Sequence, residues 1–229
     1  MGEGRSRPVV IAIDGPAGVG KSTIARLIAA KLGFTFIDSG AMYRAIALWG
    51  LREGLDLNDH HKMEQLAMAA DIALEPAGPG VRLNGKDVSE AVRTPEVSAA
   101  SSRVATIPGV RRALVEKQRA LAAVTSVVME GRDIGTVVFP HADVKIYLDA
   151  DPAERARRRL RDLGEDVSPV DVADQIRERD ERDRSRPEAP LAQAPDAIYV
   201  DSTGLSLSDT EQAVLKVVRE RISNGRDFS

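Results

Sequence analysis

The segment Gly15-Pro-Ala-Gly-Val-Gly20-Lys21-Ser22 fits the spacing G-x-x-x-x-G-K-[ST]. Its residue types define its chemistry. Glycines let successive backbone N–H groups wrap an anion, a following helix N-terminus adds positive potential, a lysine reaches β- and γ-phosphates, and a serine hydroxyl can ligate Mg²⁺. Gly15, Pro16, Ala17, Gly18, Val19, Gly20, Lys21, Ser22 and Thr23 are therefore the candidate site for ATP or GTP, with Lys21 as a catalytic cation and Ser22 as a metal ligand. A GTPase switch would be expected to carry an Asn-Lys-x-Asp motif. The nearest string, Asn84-Gly-Lys-Asp87, has the wrong order and lies in an expected hairpin turn, which argues against the GTPase-switch class.

Further clusters of charge and hydroxyl follow other apolar runs. Asp38-Ser39-Gly40-Ala41-Met42-Tyr43-Arg44 offers a carboxylate, hydroxyls and a guanidinium, or else a helix cap made by Asp38 or Ser39 with Arg44 in solvent. Gly131-Arg132-Asp133-Ile134-Gly135 brings a second Arg and Asp to the end of a strand, or forms a surface ion pair in a turn. Glu130 stands beside it, placed to hold a magnesium water shell. Arginines at 155, 157, 158, 159 and 161 form a run that reads equally as a solvated helix face neutralised by Glu154, Asp162, Glu165 and Asp166. Arg179, Asp183 and Arg186 recur at i, i+4 and i+7, the spacing of one helical face.

The elements that must position these groups are legible as apolar periodicity. Val9-Val10-Ile11-Ala12-Ile13 is apolar throughout, as a strand buried on both faces of a parallel sheet requires, and it leads directly into the glycine-rich loop. Ile24, Ala25, Leu27, Ile28 and Leu32 keep helical spacing, with Gly33 where a C-terminal cap belongs. Shorter runs at 34–37, 127–129, 144–148 and 198–200 complete an expected five-stranded parallel sheet, whose carboxyl edge is where ligands of open α/β sheets bind. The second and third of these runs are separated by about ninety residues, too many for one crossover. An inserted small subdomain is expected there, near 62–108. In it, 71–74 and Val81-Arg82-Leu83 are strand-like, and Asn84-Gly85 joins the latter to Lys86-Asp87-Val88 as a hairpin. Turn-rich 76–80 and helices near 97–105 and 110–123, parted at Pro108-Gly109, fill the rest.

Composition narrows the classes. Lys and Arg number 32 against 35 Asp and Glu, a net charge of −3, which argues against a nucleic-acid-coating protein. The absence of cysteine excludes disulfide scaffolds, thiolate metal sites and cysteine nucleophiles, and suits a reducing cytoplasm. Residues 1–7 carry no signal-peptide core, and the uncharged run 120–129, the last residue of which precedes Glu130, is far short of the roughly 20 residues that a spanning helix needs. No membrane and no nucleic-acid partner is expected. His60, His61 and His141 read as surface residues.

Together, Ile13-Asp-Gly-Pro-Ala-Gly, Asp38 to Arg44, Gly131-Arg-Asp-Ile-Gly-Thr-Val-Val-Phe-Pro140 and Arg179-Asp-Glu-Arg-Asp-Arg-Ser-Arg186 resemble the signatures of the bacterial cytidylate kinases, nucleoside-monophosphate kinases acting on CMP and dCMP. The resemblance runs from about Val9 to the last helix. It implies an α/β P-loop kinase fold with an inserted monophosphate-binding subdomain, a short arginine-rich lid at about 154–168 bearing Arg155, Arg158 and Arg159, and transfer from ATP with Mg²⁺. It further implies that Tyr43, Arg179 and Asp183 face the ribose and that Arg44, Arg132 and Arg186 address the acceptor phosphate, with Ser39 beside them. Ser102, Arg111 and Asp133 would read the cytosine edge, with Arg93 nearby, and Arg132, Asp133 and Arg186 would join Lys21 as the catalytic residues. A cytoplasmic monomer is the family's usual state. Other P-loop kinases of AMP, UMP or shikimate, and an ATP-binding regulatory module, are the alternatives.

Overall fold

The computed structural model describes residues 7–75, 78, 80–163 and 168–226. In chain order the elements are β1 (Val10–Asp14), α1 (Lys21–Leu32), β2 (Thr35–Asp38), α2 (Ser39–Arg52), α3 (His60–Ala69), β3 (Ile72–Leu74), β4 (Val81–Leu83) and β5 (Lys86–Asp87). There follow α4 (Pro95–Val104), α5 (Pro108–Ala122), β6 (Val127–Gly131), β7 (Val144–Asp149), α6 (Pro152–Leu163), α7 (Pro169–Ser185), β8 (Ile198–Asp201) and α8 (Leu207–Arg226). The five expected parallel strands are present, in the order β2-β6-β1-β7-β8.

Alternation along β1 explains its all-apolar sequence, since successive side chains of a strand leave opposite faces. Ile11 and Ile13 pack with Ile24 and Ile28 of α1 and with Val214 and Val218 of α8. Ala12 joins Met129, Ile134 and Val138 on the other face. Covered on both sides, the sheet presents only its edges to solvent and ligand. Helix α1 opens at Gly20, φ 96°, and closes where Gly33, φ 68°, lets Phe34 N–H reach Ala29 O at 2.9 Å.

A second apolar core lies between the second and third parallel strands in sequence. Met42 and Ile46 of α2 pack with Met63 of α3, Val104 of α4, Leu114 of α5 and Leu83 of the small sheet. That sheet is the antiparallel β3-β4-β5, and its Asn84-Gly85 turn takes positive φ at both residues, 50° and 76°, as the shortest hairpins demand. The segment 62–108 thus starts inside α3, ends at the first residue of α5 and shares its core with both α2 and α5. Of the turn-rich 76–80, residues 76, 77 and 79 lie outside the described residues, as do 164–167 of the segment expected as a lid.

One carboxylate ties the central strand to the loop beside it. Asp14 is buried at the end of β1 and accepts from Ile134 N–H at 2.8 Å and Gly135 N–H at 2.7 Å, fixing a π-helical turn over Ile134–Val138. Asp14→Asn keeps one acceptor oxygen but turns an amide N–H₂ toward a buried backbone N–H. That substitution should cost about 1–3 kcal/mol of unfolding free energy in chemical denaturation; an unchanged midpoint would show that the two bonds do not hold the turn.

Candidate active site

The carboxyl edge of the sheet gathers the loop after β1, the start of α2 after β2 and the turn after β6. They open into one cleft of ≈ 870 Å³. Gly15 sits at φ 151°, and a Cβ there would stand 2.0 Å from Leu148 O, so the chain can turn past β7 only as glycine. Lys21 is buried and donates from Nζ to Pro16 O at 2.6 Å. Burial, then the nearby Arg132 and Arg179 charges, bring its amine down to about 7, with Glu130 and Asp14 opposing. Ser22 Oγ donates to Glu130 Oε1 at 2.7 Å.

Glu130 and Asp38 lie side by side and titrate apart. Burial and the Asp38 charge push Glu130 up, whereas Asp38, opposed by its own burial, is held low by Arg44 and the Ala41 N–H. Asp38 caps α2 through Ala41 N–H at 2.8 Å, as one reading of the sequence expected, but Arg44 is not in solvent as that reading had it: its Nη2 pairs with Asp38 at 2.9 Å. Ser39 Oγ donates to Glu130 O at 2.6 Å, an approach that a Cβ on Gly131, 2.6 Å from that hydroxyl, would obstruct.

Opposite the loop stands a cluster of guanidinium groups. Arg44, Arg132, Arg179 and Arg186 all line the cleft. Asp183 accepts from Arg132 Nε at 2.8 Å; burial opposes its ionisation, but Arg132 and Arg179 hold its carboxyl below the usual range. Burial and the Arg132 charge depress Arg179 to about 10. Nε of Arg44, Arg179 and Arg186 is buried and unpartnered. A buried donor without an acceptor is costly, and the three guanidinium groups concerned all line the cleft, which makes it strongly cationic. Arg186 lies just past the end of α7, so it reaches the cleft from the helix terminus and bonds Ala189 O at 2.7 Å.

Along the wall toward α4 and α5, Arg111 pairs with buried Asp133, donates to Ala105 O at 3.3 Å and sits 5.6 Å over the Tyr43 ring. Burial drives the Tyr43 hydroxyl up to about 12 against the pull of Arg111, so it stays protonated. Ser102 accepts from Arg182 Nη1 at 2.8 Å.

Ser39, Tyr43, Arg44, Ser102, Arg111, Arg132, Asp133, Arg179, Asp183 and Arg186 thus share one cleft with Ala17 to Thr23. Arg158, Arg159 and Arg161 line it too, whereas Gly15 and Pro16 are not on its wall, Pro16 O accepting from Lys21. Arg93 and Arg155 are not on its wall. Arg93 Nε donates to Ser89 O at 3.0 Å, and Arg155 is buried against the loop, bonded to Ala17 O and Asp180. Sequence reading missed Asp180, Arg182 and the exposed apolar pair Leu205 and Leu207, which line or brace the cleft after β8. Arg182 was within reach, since it completes the i, i+3, i+4, i+7 series of α7; Asp180 carried no local signal.

A phosphate loop on the central strand facing a second, cationic anion pocket defines a P-loop phosphotransferase. A gluconokinase from Sinorhizobium meliloti 1021 shares the fold, with a TM-score of 0.51 at 17% identity over 98% of this chain and 100% of its own. The chain belongs to the cytidylate kinase family, whose model, described as "Cytidylate kinase", matches residues 11–220. It is 60% identical to the cytidylate kinase of Solibacter usitatus over the full length of both, and 48% identical to that of Pelotomaculum thermopropionicum over 94% of this chain and 96% of the relative.

The depressed Lys21 gives a test of the donor site. A bound polyphosphate restores the ammonium, so nucleoside triphosphate binding should take up a proton at pH about 8 and weaken as pH rises past about 7. Calorimetry in buffers of different ionisation enthalpy reads this uptake; buffer-independent heats would exclude it.

Proposed function

We propose that this chain transfers the γ-phosphoryl group of ATP to CMP and dCMP, giving CDP and dCDP. The observation that carries the reading is the pair of facing anion sites, the loop with Lys21 and the guanidinium cluster with its unpartnered Nε atoms. Such transfer goes through a loose, in-line transition state with charge spread over the phosphoryl oxygens, so positioning and cationic stabilisation supply the catalysis. Lys21, Arg132 and Arg186 are the groups for this role. The acceptor phosphate, with a second pKa of about 6, is already deprotonated near neutral pH and needs no strong base. The three histidines, His60, His61 and His141, are exposed, and Asp133 is engaged by Arg111.

Arg44, Arg132 and Arg186 hold the acceptor phosphate, Tyr43, Arg179 and Asp183 the ribose, and Ser102, Arg111 and Asp133 the cytosine edge. The Ser22 hydroxyl with the Asp38 and Glu130 carboxylates is an all-oxygen set of the kind Mg²⁺ favours, since that ion keeps water and is shared between one or two protein oxygens and the phosphates. When bound there, Mg²⁺ would neutralise charge on the transferred group. The segment 62–108 acts as a flap over the monophosphate, and the Arg158 and Arg159 side chains act as the lid while α6 itself stays docked on the loop, the site completing only once the acceptor is seated so that water is not phosphorylated. We take the working form to be a cytoplasmic monomer with small-molecule partners alone; no helix among the described residues is long and apolar enough to cross a membrane.

A coupled ADP-release assay offering CMP, dCMP, UMP, AMP, GMP, shikimate and water separately should show turnover concentrated in CMP and dCMP; preference for another acceptor discards the cytosine pocket. Arg132→Lys and Arg186→Lys keep the charge but not the planar fork, and each should lower kcat/KM by about a hundredfold with the thermal midpoint nearly unchanged. Near-normal kinetics in both would remove the acceptor-phosphate role.

A further inference from the structure

Arg155 does not reach the cleft, yet it and Asp180 are among the most completely buried charged side chains in the molecule, at 5% and 2% exposure. They meet under the phosphate loop. Asp180 Oδ1 accepts from Ala17 N–H at 2.9 Å, Arg155 Nη1 donates to Ala17 O at 3.0 Å, and Arg155 pairs with the other Asp180 oxygen. Arg155 Nε is anchored in turn on Ala150 O at 3.1 Å, at the end of β7. Both peptide groups flanking Ala17 are therefore held from α6 and α7, and α6 packs so closely that a Cβ on Gly18 would lie 3.0 Å from Arg155 O.

From this geometry we propose that Arg155 and Asp180 are positioning residues for the donor phosphates. A trans peptide points its C=O and N–H in opposite directions. Holding Ala17 O on Arg155 aims the Gly18 N–H the other way, toward the cleft that Gly18 lines, while Asp180 takes the Ala17 N–H out of the phosphate-binding set. The loop is thus set to receive phosphate before nucleotide arrives, and the ordering cost is carried by the fold. Asp180 lies between Arg179 and Asp183, so the helix that forms the acceptor wall also braces the donor loop.

The inference rests on the proposed ATP site and is tested apart from turnover, by calorimetric titration of each variant with ATP and Mg²⁺ without acceptor. Arg155→Met with Asp180→Leu removes both charges at once and leaves no orphaned ion, while Ala17 N–H, Ala17 O and Ala150 O lose their partners, so the variant should fold with a lowered thermal midpoint. Its Kd for ATP, measured well below that midpoint, should rise about tenfold or more, the loss of a charge-assisted hold on two peptides. In the CMP assay its KM for ATP should rise with it, and KM for CMP should stay within about twofold. Arg155→Lys keeps the ion pair but cannot reach Ala17 O and Ala150 O together, and should weaken ATP severalfold. Arg184→Ala, exposed on α7 with Asp180, should leave ATP affinity unchanged. Unchanged ATP affinity in either folded Arg155 variant, or equal losses for ATP and CMP, overturns the proposal. If wild type turns over no monophosphate, the proposed function fails while the ATP titrations still decide the bracket.

Discussion

The structure depends on keeping several guanidinium groups and a lysine desolvated within one cleft. Like charges taken out of water repel and lose hydration, so each must be answered by a carboxylate or left waiting for an anion. The answers come singly and from different elements: Asp38 at the end of β2 takes Arg44, Asp183 on α7 takes Arg132, and Asp133 after β6 takes Arg111. What remains unanswered, chiefly Nε of Arg44, Arg179 and Arg186 and the depressed Lys21, belongs to residues that line one cleft.

Two apolar cores let that cleft be both rigid and closable. The sheet core ties the loop, β6 and β7 into one body, with Asp14 joining β1 to the turn that carries Arg132 and Asp133. The second core, from α2 to α5, carries Tyr43, Ser102 and Arg111, and meets the first chiefly along α2 and α5. Ser102 is linked back to α7 through Arg182. The cleft-lining groups thus come from two apolar cores, the arrangement that the proposed flap would use.

The arginine run on α6 shows how charge patterning underdetermines position. Both readings of that run hold, for different members. Arg157 and Arg161 are exposed partners of Glu154, as on a solvated face. Arg158 donates to Val19 O and to Ser202, and Arg155 is buried beneath the loop. A helix places residues three and four apart on one side, so 155 and 158 turn toward the loop and 157 away from it, while exposed Arg161, three beyond 158, still borders the cleft. Spacing could have separated these sets, but nothing local says which side faces the loop.

Taken alone, the sequence determined the parallel sheet, the loop and its lysine, the Asn-Gly hairpin and the positions after β2 and β6 where charged groups gather. These rest on properties written into neighbouring residues: apolar periodicity, positive-φ glycines, and the rule that ligands meet the carboxyl ends of parallel strands. Only the tertiary structure decided that Arg155 supports the loop instead of facing the cleft, that Arg93 stands off the cleft wall, that Arg186 acts from beyond a helix end, and that Asp180 has any part at all. Each of those outcomes depends on how helices dock rather than on how they form. Arg155 and Asp180 lie 25 positions apart, and the Ala17 peptide they share lies 138 and 163 positions away. No pattern in the chain encodes such a meeting, because it arises only when α6 and α7 pack against the loop.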